Sequence, residues 1–144
     1  GSGFPLGACL ATSKTCISMS KGSHGSTYGG NPLAMSVGLE VLKIISNKSF
    51  LKRVDKVSRY FWSQLKLLEK EYESIYEIRG AGLLLGIKLK INNIKFSEKL
   101  TQHKLLNVPA ADNTVRLAPP LIVSNKEIDK SITIIKKVFK TYND

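Results

Sequence analysis

Two stretches of this 144-residue sequence carry side chains suited to holding a negative charge. The first is HGSTYGGNP, residues 24 to 32. It offers hydroxyl donors at Ser26 and Thr27, permissive backbone at Gly25, Gly29 and Gly30, and a helix amino end at Pro32, where the helix dipole is positive. Such a loop stabilises an anionic phosphate, although it lacks the lysine and spacing of a P-loop. The same residues also read as a Gly/Ser turn that merely precedes a helix. The second is Arg116 in VRLAPPL, an arginine between Val115 and Leu117 on a short apolar strand. Burying it is costly unless a carboxylate or phosphate meets its fork, so it is either an anion clamp or a side chain on the polar face of the strand.

The other candidates are weaker. Arg79, just before a Gly-Ala-Gly bend, fits a structural salt bridge better than a ligand contact. His24 and His103 stand too far apart in the sequence to argue for a metal site or acid-base pair. Cys9 and Cys16 match no zinc spacing and have no convincing His partner, so they read as reduced packing residues. No carboxylate pair, catalytic triad or Walker motif emerges. The residue types give two anion holders, no catalytic nucleophile and no metal.

These groups need elements to position them. Residues 1 to 31 are rich in Gly, Ser and Thr and read as loop around a short apolar strand at 8 to 11. Asn31 and Pro32 start a helix running to about Ser46, with Leu33, Val37, Val41, Ile44 and Ile45 at helical intervals. Ser49 is placed to cap a second helix to about Glu73, whose apolar face is Val54, Val57, Phe61, Leu65, Leu68 and Tyr72. Two strands, 75 to 79 and 83 to 89, flank the glycine bend, and residues 95 to 106 read as a helix. Short strands at 107 to 110 and 114 to 118 flank a turn at 111 to 113. Ser124 with Glu127 has capping-box spacing for a last helix that buries Ile128, Ile132, Ile135 and Phe139. From Ile75 onward the pattern is α+β, with helices laid on a short sheet.

Composition sets the outer bounds. With 42% hydrophobic and 23% charged residues the chain can build a core, and no run of 18 apolar residues is present for a membrane span. A net charge of +11 raises the possibility of a basic nucleic-acid-binding module. The excess is mostly Lys spread over polar helix positions, with neither interleaved aromatics nor an RNA-binding motif, which favours a solvated surface.

Four blocks carry a family resemblance: GSGFPLGACLAT at 1 to 12, HGSTYGGNPLA at 24 to 34, IRGAGLLLGIKL at 78 to 89 and VRLAPPLIVSNKEID at 115 to 129. In that order they resemble successive blocks of the class III pyridoxal-phosphate aminotransferases, and most of all the acetylornithine-type members. The resemblance implies a partial α/β fold of fold-type I: residues 1 to 48 as the end of the large cofactor-binding domain, and 49 to 144 as the small carboxy-terminal domain. In the family, GGGFPLG closely follows the Schiff-base lysine. Here that lysine would lie three positions ahead of Gly1, and Ser2 replaces the middle glycine. The implied expectation is a carboxy-terminal fragment without transaminase activity of its own.

By the same resemblance, Thr27 matches the threonine that reaches the cofactor phosphate of the neighbouring subunit. Ser26 matches its companion beside the substrate, and Arg116 the arginine that grips the α-carboxylate. The implied whole is a cytoplasmic homodimer using pyridoxal 5'-phosphate in arginine biosynthesis, moving the δ-amino group of N-acetylornithine to 2-oxoglutarate. Ornithine, succinylornithine and 4-aminobutyrate are the alternative donors.

Overall fold

A computed structural model describes residues 1–142 of the chain. They form two compact units, Gly1–Leu51 and the stretch from Lys52 onward.

In the first unit, residues 1–31 run as turns and bends with no helix or strand. The strand expected at 8 to 11 is not formed, and Leu10 is almost fully exposed. A strand requires a neighbour to take up its amides and carbonyls, and none pairs with this one. Short-range hydroxyl bonds close the turns instead: Thr12 Oγ1 accepts from the Thr15 amide at 3.3 Å, and Ser23 Oγ from the Ser20 amide at 3.1 Å. Helix α1, Pro32–Ile45, begins where expected. Its inward stripe is Ala34, Val37, Gly38, Val41 and Ile45, whereas Leu33 and Ile44 face outward. Leu6 of the preceding loop rests on this stripe. A Cβ on Gly38 would come within 2.4 Å of Leu6 Cδ2, so the glycine makes room for the contact.

Helix α2, Lys48–Glu71, is capped two residues earlier than expected, by Asn47 rather than Ser49. Asn47 Oδ1 accepts from the Ser49 amide at 2.9 Å and the Phe50 amide at 3.3 Å, and the Ser49 hydroxyl donates to the same oxygen at 2.6 Å. Asn is as good a cap as Ser, and being nearer the end it takes the free amides first. The apolar face is buried as the periodicity predicts, from Val57 through Phe61, Leu65 and Leu68 to Tyr72, with Val54 half-buried.

The second unit adds a four-stranded antiparallel sheet: β1 (Ile75–Ala81), β2 (Leu84–Leu89), β3 (Val108–Ala110) and β4 (Thr114–Leu117), in the order β1-β2-β4-β3. Gly80 has φ +135, and any Cβ there would sit 2.1 Å from the Leu84 carbonyl oxygen, so only glycine closes this hairpin. The Trp62 indole of α2 donates to the Gly82 carbonyl at 3.0 Å, which fixes the hairpin tip to the helix. One sheet face, with Ile78, Leu85, Ile87, Leu89, Val115 and Leu117, joins the core with α2, with α3 (Asn93–Gln102) and with α4 (Asn125–Lys140). Phe139 of α4 stacks on Tyr72 at 4.7 Å between ring centroids and meets Phe96 of α3 at 4.5 Å.

Helix α3 starts two residues earlier than expected, because Asn92 caps it, and stops at Gln102 rather than 106. Lys104 takes φ +64, and the Leu105 amide turns back to the Leu100 carbonyl at 3.0 Å, a left-handed stop that no propensity pattern announces. Helix α4 carries the expected Ser124–Glu127 capping box. The α+β expectation for the carboxy-terminal part therefore holds.

Candidate functional site

The 24-to-32 loop is built by short-range polar bonds. Ser26 Oγ accepts the Gly29 amide at 3.0 Å, and a Cβ on Gly29 would lie 3.0 Å from the Ser26 Cβ, so the turn is drawn tight around that hydroxyl. Gly30 adopts φ +73 and swings the chain into the helix. Asn31 then serves both sides. Its Oδ1 accepts the Ala34 amide at 2.9 Å, and its Nδ2 donates to the Tyr28 carbonyl at 2.8 Å. The cap takes the Ala34 amide and Pro32 has none to offer, so of the first three residues of α1 Leu33 alone keeps an amide without a partner among the described residues. An anion here would be met by that one amide and by the loop hydroxyls.

Those hydroxyls remain usable. Ser26 spends an oxygen lone pair on Gly29 and keeps its proton free to donate. The Thr27 hydroxyl is exposed and, among the described residues, has no hydrogen-bond partner. Ser26, Tyr28, Gly29, Gly30 and Asn31 line one side of an open hollow of about 520 Å³, with Phe4 to Gly7 on the other; Thr27 is beside it in sequence but not in its wall. Two available hydroxyl donors on a glycine turn match what a phosphate ester needs, since its oxygens only accept.

Arg116 lies in the second unit, on the sheet face opposite the core. Register places it across from Gly86 on β2 and Val108 on β3. The same face presents Arg79 and Lys88, and both are engaged. Arg79 donates to Asp112 Oδ2 at 2.8 Å and to Thr114 Oγ1 at 2.7 Å, and Lys88 reaches Asp112 at 2.9 Å. The hydrogen bond from Lys88, and then that from Arg79, hold the Asp112 carboxyl below its ordinary pKa, so it stays an anion. Arg79 is therefore structural, as its position suggested. Arg116 is exposed and makes no salt bridge among the described residues. It is the solvent-facing arginine that one of the two sequence readings anticipated, and being unneutralised it is also free to clamp an anion.

Three supporting residues escaped the sequence reading. Asn93 donates to the Ala110 and Thr114 carbonyls, both at 3.0 Å. Asn113, with φ +50, donates to the Leu89 carbonyl at 2.6 Å and the Ile91 carbonyl at 2.8 Å and accepts the Asn93 amide at 3.0 Å. Together they lock the β3–β4 turn, and so the base of the Arg116 strand, to α3 and β2. Arg53 on α2 donates to the carbonyls of Leu121, Ile122 and Val123 at 2.8, 2.9 and 2.8 Å. Their signal in the sequence is slight: only the Asp-Asn pair in the turn marks a left-handed backbone.

Cys9 and Cys16 are free thiols, exposed and half-buried respectively. Among the described residues no cluster of three or more His, Cys, Asp or Glu could hold a metal, and no helix is long and apolar enough to cross a membrane.

Comparison with known proteins places this geometry. The family model for class-III aminotransferases matches residues 1–139. The chain is 43% identical over 137 residues to the acetylornithine aminotransferase of Mesorhizobium japonicum and 44% identical over 137 residues to that of Agrobacterium fabrum, in each case 94% of this chain and 34% of the relative. Among solved structures it is similar to Plasmodium falciparum ornithine delta-aminotransferase, with a TM-score of 0.81 and 36% identity over 94% of this chain and 35% of that one. It is also similar to acetylornithine aminotransferase from Elizabethkingia anophelis, with a TM-score of 0.76 and 30% identity over 92% and 34%. The chain spans about a third of the length of the curated relatives it matches. Sequence, fold and family model agree, and the chain belongs to the class-III aminotransferase family.

Proposed function

We propose that this chain supplies the phosphate-facing and carboxylate-facing part of a pyridoxal-phosphate-dependent aminotransferase. In this reading the enzyme moves the δ-amino group of N-acetylornithine to 2-oxoglutarate. One observation carries the proposal: on a sheet face where Arg79 and Lys88 both pair with Asp112, and Arg79 with Glu77 as well, Arg116 makes no salt bridge among the described residues. Its two parallel N–H donors match a carboxylate, which both substrates possess. The names of the curated relatives, at 43 and 44% identity, support the acetylornithine assignment.

When bound, the cofactor supplies an electron sink that makes the proton on the reacting carbon removable. The chain's own residues bind and orient. Arg116 holds a substrate carboxylate by a bidentate pair, so that the amino carbon presents one geometry. Thr27 would donate a hydrogen bond to a phosphate oxygen, in this reading on the cofactor of the second subunit of a homodimer, and Ser26 would donate one beside the substrate. A cytoplasmic location fits a biosynthetic enzyme with these relatives.

The test is amino transfer by the full-length protein that carries these residues, with 2-oxoglutarate as acceptor and four donors compared by kcat/KM. The proposal expects N-acetylornithine to exceed ornithine, succinylornithine and 4-aminobutyrate by about tenfold or more, the size of one well-placed discriminating contact. Transfer from none of the four would defeat it. Preference for ornithine would move the assignment to a second reading, which the TM-score of 0.81 to an ornithine aminotransferase favours.

A further inference from the structure

The segment that carries the chain away from Arg116 is held in an unusual way. Beyond Leu117, which pairs with Leu85, the backbone leaves the sheet and no ladder continues. Pro119 and Pro120 have no amides to anchor it. Packing holds it at its ends, where Leu117 and Val123 are buried in the core, but not between them: Leu121 and Ile122 are 40% and 72% exposed, and Pro119 and Pro120 border a groove of about 330 Å³. The hold on the stretch between is polar. The Val123 amide closes on the Pro120 carbonyl at 2.9 Å, and three successive carbonyls, Leu121, Ile122 and Val123, converge on the Arg53 guanidinium. A planar fork with five donors can take three carbonyls at once in one orientation, which an ammonium cannot do.

We infer that Arg53 is a positioning residue for Arg116: by clamping the 121-to-123 carbonyls it fixes the exit of β4 and thereby the direction of the Arg116 side chain. Strand β4 is four residues long, and its partner β3 extends only to the register of Arg116, so this end of the strand is secured on one side by Leu85 and beyond by the clamp. Release of the loop would let the end of the strand fray and spread the guanidinium over several directions. Orientation lost in this way raises the substrate concentration needed for productive binding without altering the chemistry of the reacting carbon. The inference rests on the proposed carboxylate role of Arg116.

The experiment is a double-mutant cycle in the full-length protein with R53A, R53K, R116A and R53A/R116A, reading KM for each carboxylate substrate, kcat and the thermal midpoint. The expected result is a KM raised about fivefold to tenfold in R53A with kcat nearly unchanged, a smaller rise in R53K, and no further rise when R53A is added to R116A. A purely structural arginine would lower the thermal midpoint and leave KM alone, or would add its KM effect in full on top of R116A; either outcome overturns the inference. An unchanged KM in R116A removes the carboxylate role and this inference with it, whereas a raised KM in R116A beside a silent R53A removes the inference alone.

Discussion

Arg116 and Thr27 are donors in opposite settings: a guanidinium that alternates outward between the buried Val115 and Leu117, and a hydroxyl on a Gly/Ser loop. The structure leaves both side chains exposed and without partners among the described residues, which is the condition for binding something else. Ser26 is different, because its oxygen is already committed to the Gly29 amide. Substituting these two residues in the full-length protein should therefore separate their roles. Thr27→Ala should weaken cofactor retention about tenfold or more, since a hydrogen bond to a charged phosphate contributes about 1.5–3 kcal/mol, and equilibrium dialysis reads this. Ser26→Ala should loosen the turn and weaken cofactor retention less. Equal retention in Thr27→Ala and the parent would remove Thr27 from the phosphate site. Arg53 could not have been found by inspecting the sequence, because its partners are main-chain carbonyls about 70 positions away, and a carbonyl has no residue type.

The elements were legible where periodicity is long and poorly legible where a single residue decides. The α2 face and the α4 capping box follow directly from spacing, because burial and capping repeat what the pattern states. The ends of α3 and the cap of α2 did not follow, since Asn92, Asn47 and the left-handed Lys104 act through local geometry. The cap assignment has a sharp consequence. Asn47→Ala should lower the stability of α2 by about 1 kcal/mol, read as a shift in the urea midpoint followed by circular dichroism, whereas Ser49→Ala should have a clearly smaller effect. The reverse order would return the cap to Ser49. Asp112 makes a second element-level prediction. Its carboxyl pKa is lowered from 3.8 by the Lys88 hydrogen bond and then that of Arg79, so its contribution is complete well above pH 4 and is lost as pH falls through the depressed value. Asp112→Asn, which tolerates the same left-handed backbone, should lower stability modestly at pH 7, approach the parent at the acid end, and so flatten the acid side of the stability profile below about pH 4. An acid limb as steep as that of the parent would assign the pH dependence to other carboxylates.

For the molecule as a whole, the family was readable from four blocks of sequence, and the described residues give each block a physical task. The glycine loop turns a pair of hydroxyls outward, the glycine hairpin sets the sheet, and the strand ahead of two prolines presents an uncompensated guanidinium. What the sequence could not show is which cations are already spent, because that depends on the register that brings Asp112 to Arg79 and Lys88. Of the three cations on that sheet face, Arg116 is the one without a salt bridge among the described residues. The decisive quantity is KM for N-acetylornithine and for 2-oxoglutarate in full-length Arg116→Ala. Loss of a charge-assisted pair of about 1.5–3 kcal/mol should raise both by about 10-fold to 100-fold while the exposed, unpaired position leaves the thermal midpoint nearly where it was. If both constants match those of the parent enzyme, Arg116 holds no substrate carboxylate and the proposed site is wrong.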